Sequence, residues 1–177
     1  IKEVDQRIRP TGLRLTFFEF ATVVAFLYFA REGVEAAVVE VGLGGRLDAT
    51  NVVQSNVSVI TTISRDHERF LGKRITSIAR EKGGIIKPGV PLVCGVLPSA
   101  AQRAINEIAR SSGVVVRQSG KDFAVTPHGS SSFDYRGREW LLEGLKLNLC
   151  GDYQLHNAGV ALASLETLRA TLPVREE

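Results

Sequence analysis

The chain has 177 residues and 44% hydrophobic content, enough for one sizeable core and at most one domain with an appendage. Its net charge of +3 comes from 22 basic and 19 acidic residues spread along the chain, which argues against a dedicated nucleic-acid surface. No apolar run approaches the length of a membrane span. Cys94 and Cys150 lie in apolar runs without CxxC spacing, as buried thiols of a reducing cytosol do.

The first third of the chain predicts a loop, a helix and a strand. Residues 1–15 mix charges with proline and glycine and predict a loop. Residues 17–30 are apolar almost all round, which predicts a buried helix ended by Gly33. Residues 36–41 are apolar and rich in valine except for Glu40. Such a run predicts a central parallel strand that is covered on both faces.

Glu40 lies at the carboxyl end of that predicted strand, and a glycine-rich turn follows it. A carboxylate buried there without a partner would cost several kcal/mol. We therefore expect Glu40 at the crevice where open α/β sheets bind ligands, facing a cation. Three glycines at 42, 44 and 45 allow positive φ angles or close approach of a ligand. The alternative is an ordinary tight turn with a solvated glutamate.

The rest of the chain alternates predicted strands and helices, which is typical of a parallel, doubly wound sheet. The predicted strands are 57–63, 90–96 and 114–116, and the predicted helices are 75–82, 100–110 with Ser99 as its cap, and 153–172. Residues 122–149 predict antiparallel hairpins at an edge. The expected fold class is therefore α/β, a three-layer and mostly parallel sheet with helices on both faces and a small antiparallel flank.

Polar residues follow the second predicted strand and end the helix after it. Asp66 and His67 come directly after strand 57–63, and Lys82 lies in the last turn of helix 75–82. Carboxylate and imidazole groups at one sheet edge suit a hard cation such as Mg²⁺. Each residue also has an ordinary interpretation. His67 could be a structural histidine, Asp66 a cap or its orienting partner, and Lys82 a cation that the helix C-terminus stabilises.

Five segments resemble, in order and spacing, the folylpolyglutamate and dihydrofolate synthases, the folate branch of the Mur ligase superfamily. They are residues 16–19, 40–51, 60–67, 71–72 and 78–89. Segment 40–51 is the most specific, because the cell-wall Mur ligases lack this loop. The resemblance implies a P-loop NTPase-like central domain over residues 1–172, with 173–177 beginning a linker to a further domain.

The resemblance implies an ATP-dependent ligase that joins L-glutamate to a carboxylate of folate or dihydropteroate through an acyl phosphate. ATP and two Mg²⁺ ions are the implied cofactors. Glu40 and His67 would be Mg²⁺ ligands, and a carbamylated Lys82 would help to hold the second ion, so His67 and Lys82 are the implied catalytic residues. Thr16, Phe18, Asp48 and Ala49 match the site for the pterin-containing substrate, and Asn157 matches the residue that contacts adenine.

We further expect a cytoplasmic monomer that acts on small molecules and has no nucleic-acid or membrane partner. The chain contains no GxxxxGK(S/T) pattern, so the phosphate-binding loop is expected before Ile1 and the isolated piece is predicted to be inactive. The alternatives are another Mur-type amide ligase, acting on a cell-wall precursor, and a non-catalytic nucleotide-binding domain. Departures from the usual residues of the family are Arg65, Gly83 and Tyr153.

Overall fold

Two compact units, Ile1–Val53 and Gln54–Glu177, make up the chain in the computed structural model. The structure describes residues 1–129, 131–149 and 151–172. Cys150 and the linker predicted at 173–177 therefore lie outside the described residues. The single domain expected over 1–172 stays a prediction. The first unit contains α1 (Lys2–Ile8), a 3-10 helix (Arg9–Thr11), α2 (Phe17–Glu32) and a second 3-10 helix (Ala49–Val52).

The loop predicted over residues 1–15 is wrong for its first two thirds, where α1 and the first 3-10 helix lie. Two ion pairs with i,i+4 spacing support α1, Glu3 with Arg7 and Asp5 with Arg9. The charged residues that suggested a loop are thus the ones that link successive turns of a short helix.

Helix α2 confirms the predicted helix and its end at Gly33, which has a φ of 61°. Thr16 caps its start, because the Thr16 hydroxyl accepts from the Glu19 N–H and the Glu19 carboxylate accepts from the Thr16 N–H. The predicted burial is wrong, since Phe17 is 87% exposed and Tyr28 58% exposed. Within its unit α2 packs on α1 and the second 3-10 helix, which are too short to cover its whole apolar surface.

The strand predicted at residues 36–41 is wrong. This segment has no regular secondary structure, and the side chain of Val38 is fully exposed. A strand needs a neighbour to take its backbone hydrogen bonds, and no residue in the described ranges pairs with this segment. Glu40 is accordingly exposed and does not end a buried strand.

The second unit is built on a parallel sheet with the strand order β1-β2-β3. Its elements are β1 (Ser58–Ile60), α3 (Glu68–Leu71), α4 (Ile75–Gly83), β2 (Leu92–Cys94), α5 (Ser99–Ser111) and β3 (Val116–Gln118). This order confirms the predicted parallel sheet with crossover helices. The bounds differ in detail, because β1 and β2 are shorter than the predicted strands 57–63 and 90–96 and β3 begins two residues later than predicted. Pro98, not Ser99, is the cap of α5.

Strand β2 separates two hydrophobic cores. Leu92 and Cys94 face the core that α4 and α5 cover, whereas Val93 faces the core beneath α6 (Asp152–Leu168). Side chains alternate along a strand, so helices on both faces bury every residue of β2. This confirms the predicted three-layer arrangement. Helix α6 ends four residues before the predicted end at 172.

A second, antiparallel sheet packs in the same core as α6. It has the order β4-β5-β6 and consists of β4 (Ala124–His128), β5 (Ser132–Arg136) and β6 (Leu141–Lys146). Phe133 and Tyr135 of β5 are buried in this core. The antiparallel flank predicted within 122–149 is therefore confirmed.

Candidate functional site

The carboxylate of Asp48 closes the glycine-rich loop. It accepts hydrogen bonds from the backbone N–H of Leu43 at 2.9 Å, from the N–H of Thr50 at 2.9 Å and from the Thr50 hydroxyl at 2.6 Å. Gly44 has a φ of 72°, a left-handed conformation that favours glycine. Asp48 is also the cap of the 3-10 helix that begins at Ala49. The loop thus has a defined shape that depends on one side chain.

Asp48 is held in its ionised form. Partial burial alone would raise the pKa of this carboxyl group, but hydrogen bonds from Thr50 and from the backbone N–H groups of Leu43, Thr50 and Gly42 outweigh it. The pKa therefore lies below its ordinary value of 3.8. These donors use most of the acceptor sites of one carboxylate. The observed contacts of Asp48 hold the loop in shape. Its contact with a pterin stays a prediction.

The first turn of α2 lies against this loop. A Cβ atom built on Gly42 would lie only 2.7 Å from Cζ of Phe18, so the Phe18 ring rests on the Gly42 backbone. The ring remains 43% exposed, which leaves part of it available to a ligand. The structure therefore brings Thr16 and Phe18, on the first turn of α2, into the same unit as Asp48 and Ala49, with Phe18 in direct contact with their loop.

A cavity of about 360 Å³ opens beside Thr16, between α1 and the start of α2. Its volume lies in the range of small-molecule sites. Among the four residues predicted for the pterin, Thr16 lines the cavity, whereas Phe18, Asp48 and Ala49 do not. Its lining residues are Asp5, Ile8, Arg9, Leu13, Leu15, Thr16, Phe17 and Phe20.

His67 has an unusual backbone conformation for the residue that caps α3. Its φ is 52°, and no other non-glycine residue in the described ranges has a positive φ. Such a conformation costs about 1–3 kcal/mol and is frequent at functional sites. Asp66 accepts from the His67 N–H at 2.7 Å, and its second carboxylate oxygen lies 3.7 Å from Nε2 of His67. The His67 side chain is 56% exposed and accessible to a ligand.

Lys82 is half-buried in the last turn of α4. Three residues later, the carbonyl of Ile85 accepts a hydrogen bond from the Ser58 hydroxyl at 3.0 Å, so the end of α4 is tied to the start of β1. His67 follows the other end of β1. No hydrogen bond or ion pair joins His67 to Lys82 in the part of the chain that the structure describes.

The predicted metal ligands belong to both units, Glu40 to the first and His67 and Lys82 to the second. A carboxylate oxygen and an imidazole nitrogen are donors that Mg²⁺ accepts, and both side chains are exposed, so the donor chemistry fits the ion. Within the described ranges no group of three or more His, Cys, Asp and Glu side chains is arranged around a metal site. The assignment of these ligands stays a prediction.

Asn157 lies exposed near the start of α6, where its Nδ2 donates to Oε1 of Gln154 at 3.2 Å. Its amide retains donor and acceptor capacity for the edge of a base. A small cavity of about 140 Å³ opens beside this helix start. It is lined by Val125, Pro127, Gly129, Leu155 and His156.

Glu166 is the main polar residue that the sequence reasoning missed. It lies on the buried side of α6 with only 2% of its surface exposed, and Tyr135, Glu139 and Trp140 donate hydrogen bonds to its carboxylate. Its spacing was the available signal, because Glu166 falls four residues after Leu162 on the apolar face of the helix.

A parallel sheet with helices on both faces and polar loops after its strands defines an α/β domain of the kind that binds ligands at a sheet edge. The Mur ligase middle domain family matches residues 6–165, and the chain belongs to this family. This confirms the resemblance expected from the sequence. None of the described helices has both the length and the apolar content to cross a membrane.

Two curated relatives and one solved complex show where the similarity lies. The chain is 39% identical over 159 residues to folylpolyglutamate synthase (FPGS) of Lacticaseibacillus casei, which covers 87% of the chain and 37% of that protein. It is 40% identical over 178 residues to dihydrofolate synthase/folylpolyglutamate synthase of Mycobacterium tuberculosis, covering 92% of the chain and 36% of that protein. An FPGS–AMPPCP–folate complex matches with a TM-score of 0.87 and 35% identity, over 94% of this chain and 42% of that chain. The chain thus spans less than half the length of these proteins.

Proposed function

We propose that residues 1–172 form the central ATP-handling domain of a ligase that adds L-glutamate to a carboxylate of folate or dihydropteroate. The observation that carries this proposal is the closed loop of residues 42–48 with the Phe18 ring resting on it. Membership of the Mur ligase middle domain family supports it. So does the similarity to an FPGS solved with an ATP analogue and folate.

The reaction has two steps in this proposal. An oxygen of the acceptor carboxylate attacks the γ-phosphorus of ATP, which forms an acyl phosphate and releases ADP. The amino group of glutamate then attacks the acyl carbon, and phosphate leaves while the amine loses a proton. Both steps bring anions together, so Mg²⁺ would supply the charge neutralisation that phosphoryl transfer needs.

Residues of this chain have separate tasks in that scheme. Glu40 and His67 would hold Mg²⁺ through oxygen and nitrogen donors, and Lys82, once carbamylated, would offer a carboxylate to a second ion. The exposed part of the Phe18 ring would stack on the pterin, with Thr16, Asp48 and Ala49 around it. Asn157 would face the edge of adenine. A cytoplasmic monomer acting on small molecules completes the proposal.

The test is phosphate release by the whole protein that contains these residues, supplied with MgATP and glutamate. Tetrahydrofolate, dihydropteroate and a UDP-muramoyl peptide are added in turn. We expect stimulation by one or both pterins, and its loss in Glu40→Gln and His67→Asn. Glu143→Gln is the matched control, since Glu143 is an exposed carboxylate on β6 that the proposal leaves outside the site.

Other outcomes would redirect the assignment. Stimulation by the UDP-muramoyl peptide alone would identify a cell-wall ligase. ATP binding without stimulation by any acceptor would identify a non-catalytic nucleotide-binding domain. Residues 1–177 by themselves are expected to show no ligation, because the chain contains no phosphate-binding loop of the GxxxxGK(S/T) type.

A further inference from the structure

Residues 65–74, which we call the basic segment, follow the end of β1 and carry an excess of positive charge. The segment holds Arg65, Arg69, Lys73 and Arg74 against two acidic residues. All four basic side chains are exposed. Three of them, at positions 65, 69 and 73, recur at intervals of four residues. The segment therefore presents several cations in a short length of chain.

These four side chains make no hydrogen bond or ion pair within the part of the chain that the structure describes. Asp66 is the acid next to Arg65, but its carboxylate is directed to His67. The positive charge of the segment is therefore available to an anion from outside. Arginines elsewhere in the described chain do pair with carboxylates, among them Arg7, Arg9, Arg31, Arg117, Arg138 and Arg169.

Basic residues of the segment flank His67 in the sequence. Arg65 precedes His67 by two residues and Arg69 follows it by two. The short helix α3 keeps this part compact, because the His67 carbonyl accepts from the Leu71 N–H at 3.0 Å. An anion held by Arg65 and Arg69 would therefore be bound by residues two positions from the histidine that the proposed function places at the reacting centre.

We propose that the basic segment binds the α-carboxylates of a γ-glutamyl tail on the acceptor, an inference that rests on the proposed function. Each glutamate added to a folate leaves one free α-carboxylate, so the acceptor becomes a flexible polyanion. Dihydropteroate carries only its reacting carboxylate. Exposed, flexible cations suit a polyanion of variable length, because they pair with carboxylates without requiring one fixed geometry.

The phosphates of ATP are the other anions near such a centre, and the segment suits them less well. Phosphates are usually held by successive backbone N–H groups of a glycine-rich loop or by the N-terminus of a regular helix. Residues 65–74 have one glycine, and α3 has only four residues. The segment offers long side chains in place of such a backbone cradle.

The expected effect grows with the length of the tail. An exposed ion pair changes an affinity about two- to fivefold, and added salt weakens it. A tail with three glutamates that meets two or three of these cations should therefore bind about 5- to 20-fold more weakly when two cations are removed. A substrate without α-carboxylates should be unaffected.

The experiment measures KM in the whole protein for ATP, for dihydropteroate and for tetrahydrofolate with one, two or three glutamates. Wild type is compared with Arg65→Gln/Arg69→Gln. We expect KM to rise most for the triglutamate, less for the monoglutamate, and not at all for dihydropteroate or ATP. The salt dependence of the triglutamate KM should flatten in the variant.

Arg110→Gln is the matched control. The side chain of Arg110 is exposed, makes no hydrogen bond or ion pair among the described residues and lies in the last turn of α5. Helix α5 runs back from the end of β2 to the start of β3. Arg110 therefore lies near the end of the sheet where the parallel strands begin, whereas the basic segment follows the end of β1. Replacement of Arg110 should leave every KM unchanged.

The outcomes separate the two proposals. A wild-type enzyme that ligates glutamate, combined with an equal rise of KM for all tail lengths or a rise for ATP alone, overturns the tail-binding inference and leaves the ligase function in place. A wild-type protein that turns over no pterin acceptor overturns both.

Discussion

The hydroxyl group of Tyr135 donates a hydrogen bond to the carboxylate of Glu166 across 3.1 Å. The same carboxylate accepts from the backbone N–H groups of Glu139 at 2.8 Å and Trp140 at 2.7 Å, and Arg117 of β3 lies 3.3 Å away. One buried side chain on α6 therefore fixes the connection between β5 and β6 and reaches the edge of the parallel sheet. Four donors around one anion explain why a carboxylate is tolerated in this core.

Replacement of Glu166 by glutamine should destabilise the protein by about 2–4 kcal/mol, because the amide presents a donor where the surroundings also donate and leaves Arg117 without its charge partner. Urea unfolding of the purified variant measures this loss. Glu143→Gln, which changes an exposed carboxylate, should stay within about 0.5 kcal/mol of wild type. Equal effects of the two substitutions would contradict the role assigned to Glu166.

Lowering the pH should remove the contribution that the ionised Glu166 carboxylate makes to the stability of the fold. Burial would raise the pKa of this group, but hydrogen bonds from the Glu139 and Trp140 N–H groups and the Tyr135 hydroxyl outweigh it, so the folded-state pKa lies below the ordinary value of 4.5. A lowered pKa stabilises the fold at neutral pH, and this contribution is lost as the pH falls from about 4.5 through the folded-state value.

Glutamine resembles the protonated acid, so the stability curves of wild type and Glu166→Gln should converge as the pH falls below about 4.5. Urea unfolding at a series of pH values between 7 and 3 measures the difference. A gap that stayed constant over this range would show that the ionised form is not what stabilises the native state.

Alanine at Gly42 should displace the Phe18 ring, because the added Cβ would lie 2.7 Å from its Cζ atom. The ring is half-exposed and can swing outward, so we expect little loss of stability but about a tenfold rise in KM for the pterin acceptor. KM for ATP should not change. Steady-state kinetics of Gly42→Ala, Phe18→Leu and the double variant measure this coupling. If both substitutions act on one stacking surface, the double variant is no worse than Phe18→Leu; additive losses would refute the coupling.

Two further glycines should respond differently to alanine. At Gly95 the new Cβ would lie 2.1 Å from the backbone oxygen of Thr61, which cannot move without separating β1 from β2. At Gly83 it would lie 2.6 Å from Cδ1 of Ile108, the end of a side chain that can rotate. We expect losses of about 3 kcal/mol or more for Gly95→Ala and at most about 1 kcal/mol for Gly83→Ala. Thermal unfolding compares them, and a similar loss at both sites would be the contrary result.

Local signals in the sequence predicted most of the second unit correctly. Apolar strands separated by amphipathic helices indicated the parallel sheet, and the glycines and alternating residues of 122–149 indicated the antiparallel one. These patterns succeed because each element buries its apolar residues against neighbours from the same unit. The grouping of Phe18 with Asp48 came from motif resemblance, and no spacing rule places α2 against the glycine-rich loop.

The failures have a common physical origin. The valine run at 36–41 carries every local signal of a buried strand, yet strand formation depends on a partner that the described residues do not supply. Burial of α2 likewise depends on what covers it. The spacing of Glu166 places it on the apolar face of its helix, but the donors that allow its burial come from residues 117 to 140 and are brought around it only by the fold.

Because β2 lies between two cores, the number of residues that connect α4 to β2 cannot change without consequence. Leu92 and Cys94 belong to one core and Val93 to the other. A slip of one residue would exchange these side chains between the cores. An insertion or deletion between α4 and β2 that shifted the register would therefore disrupt both cores at once. Insertions and deletions in this unit should therefore avoid residues 84–91. They are better placed in connections that do not lead into a strand with a core on each face.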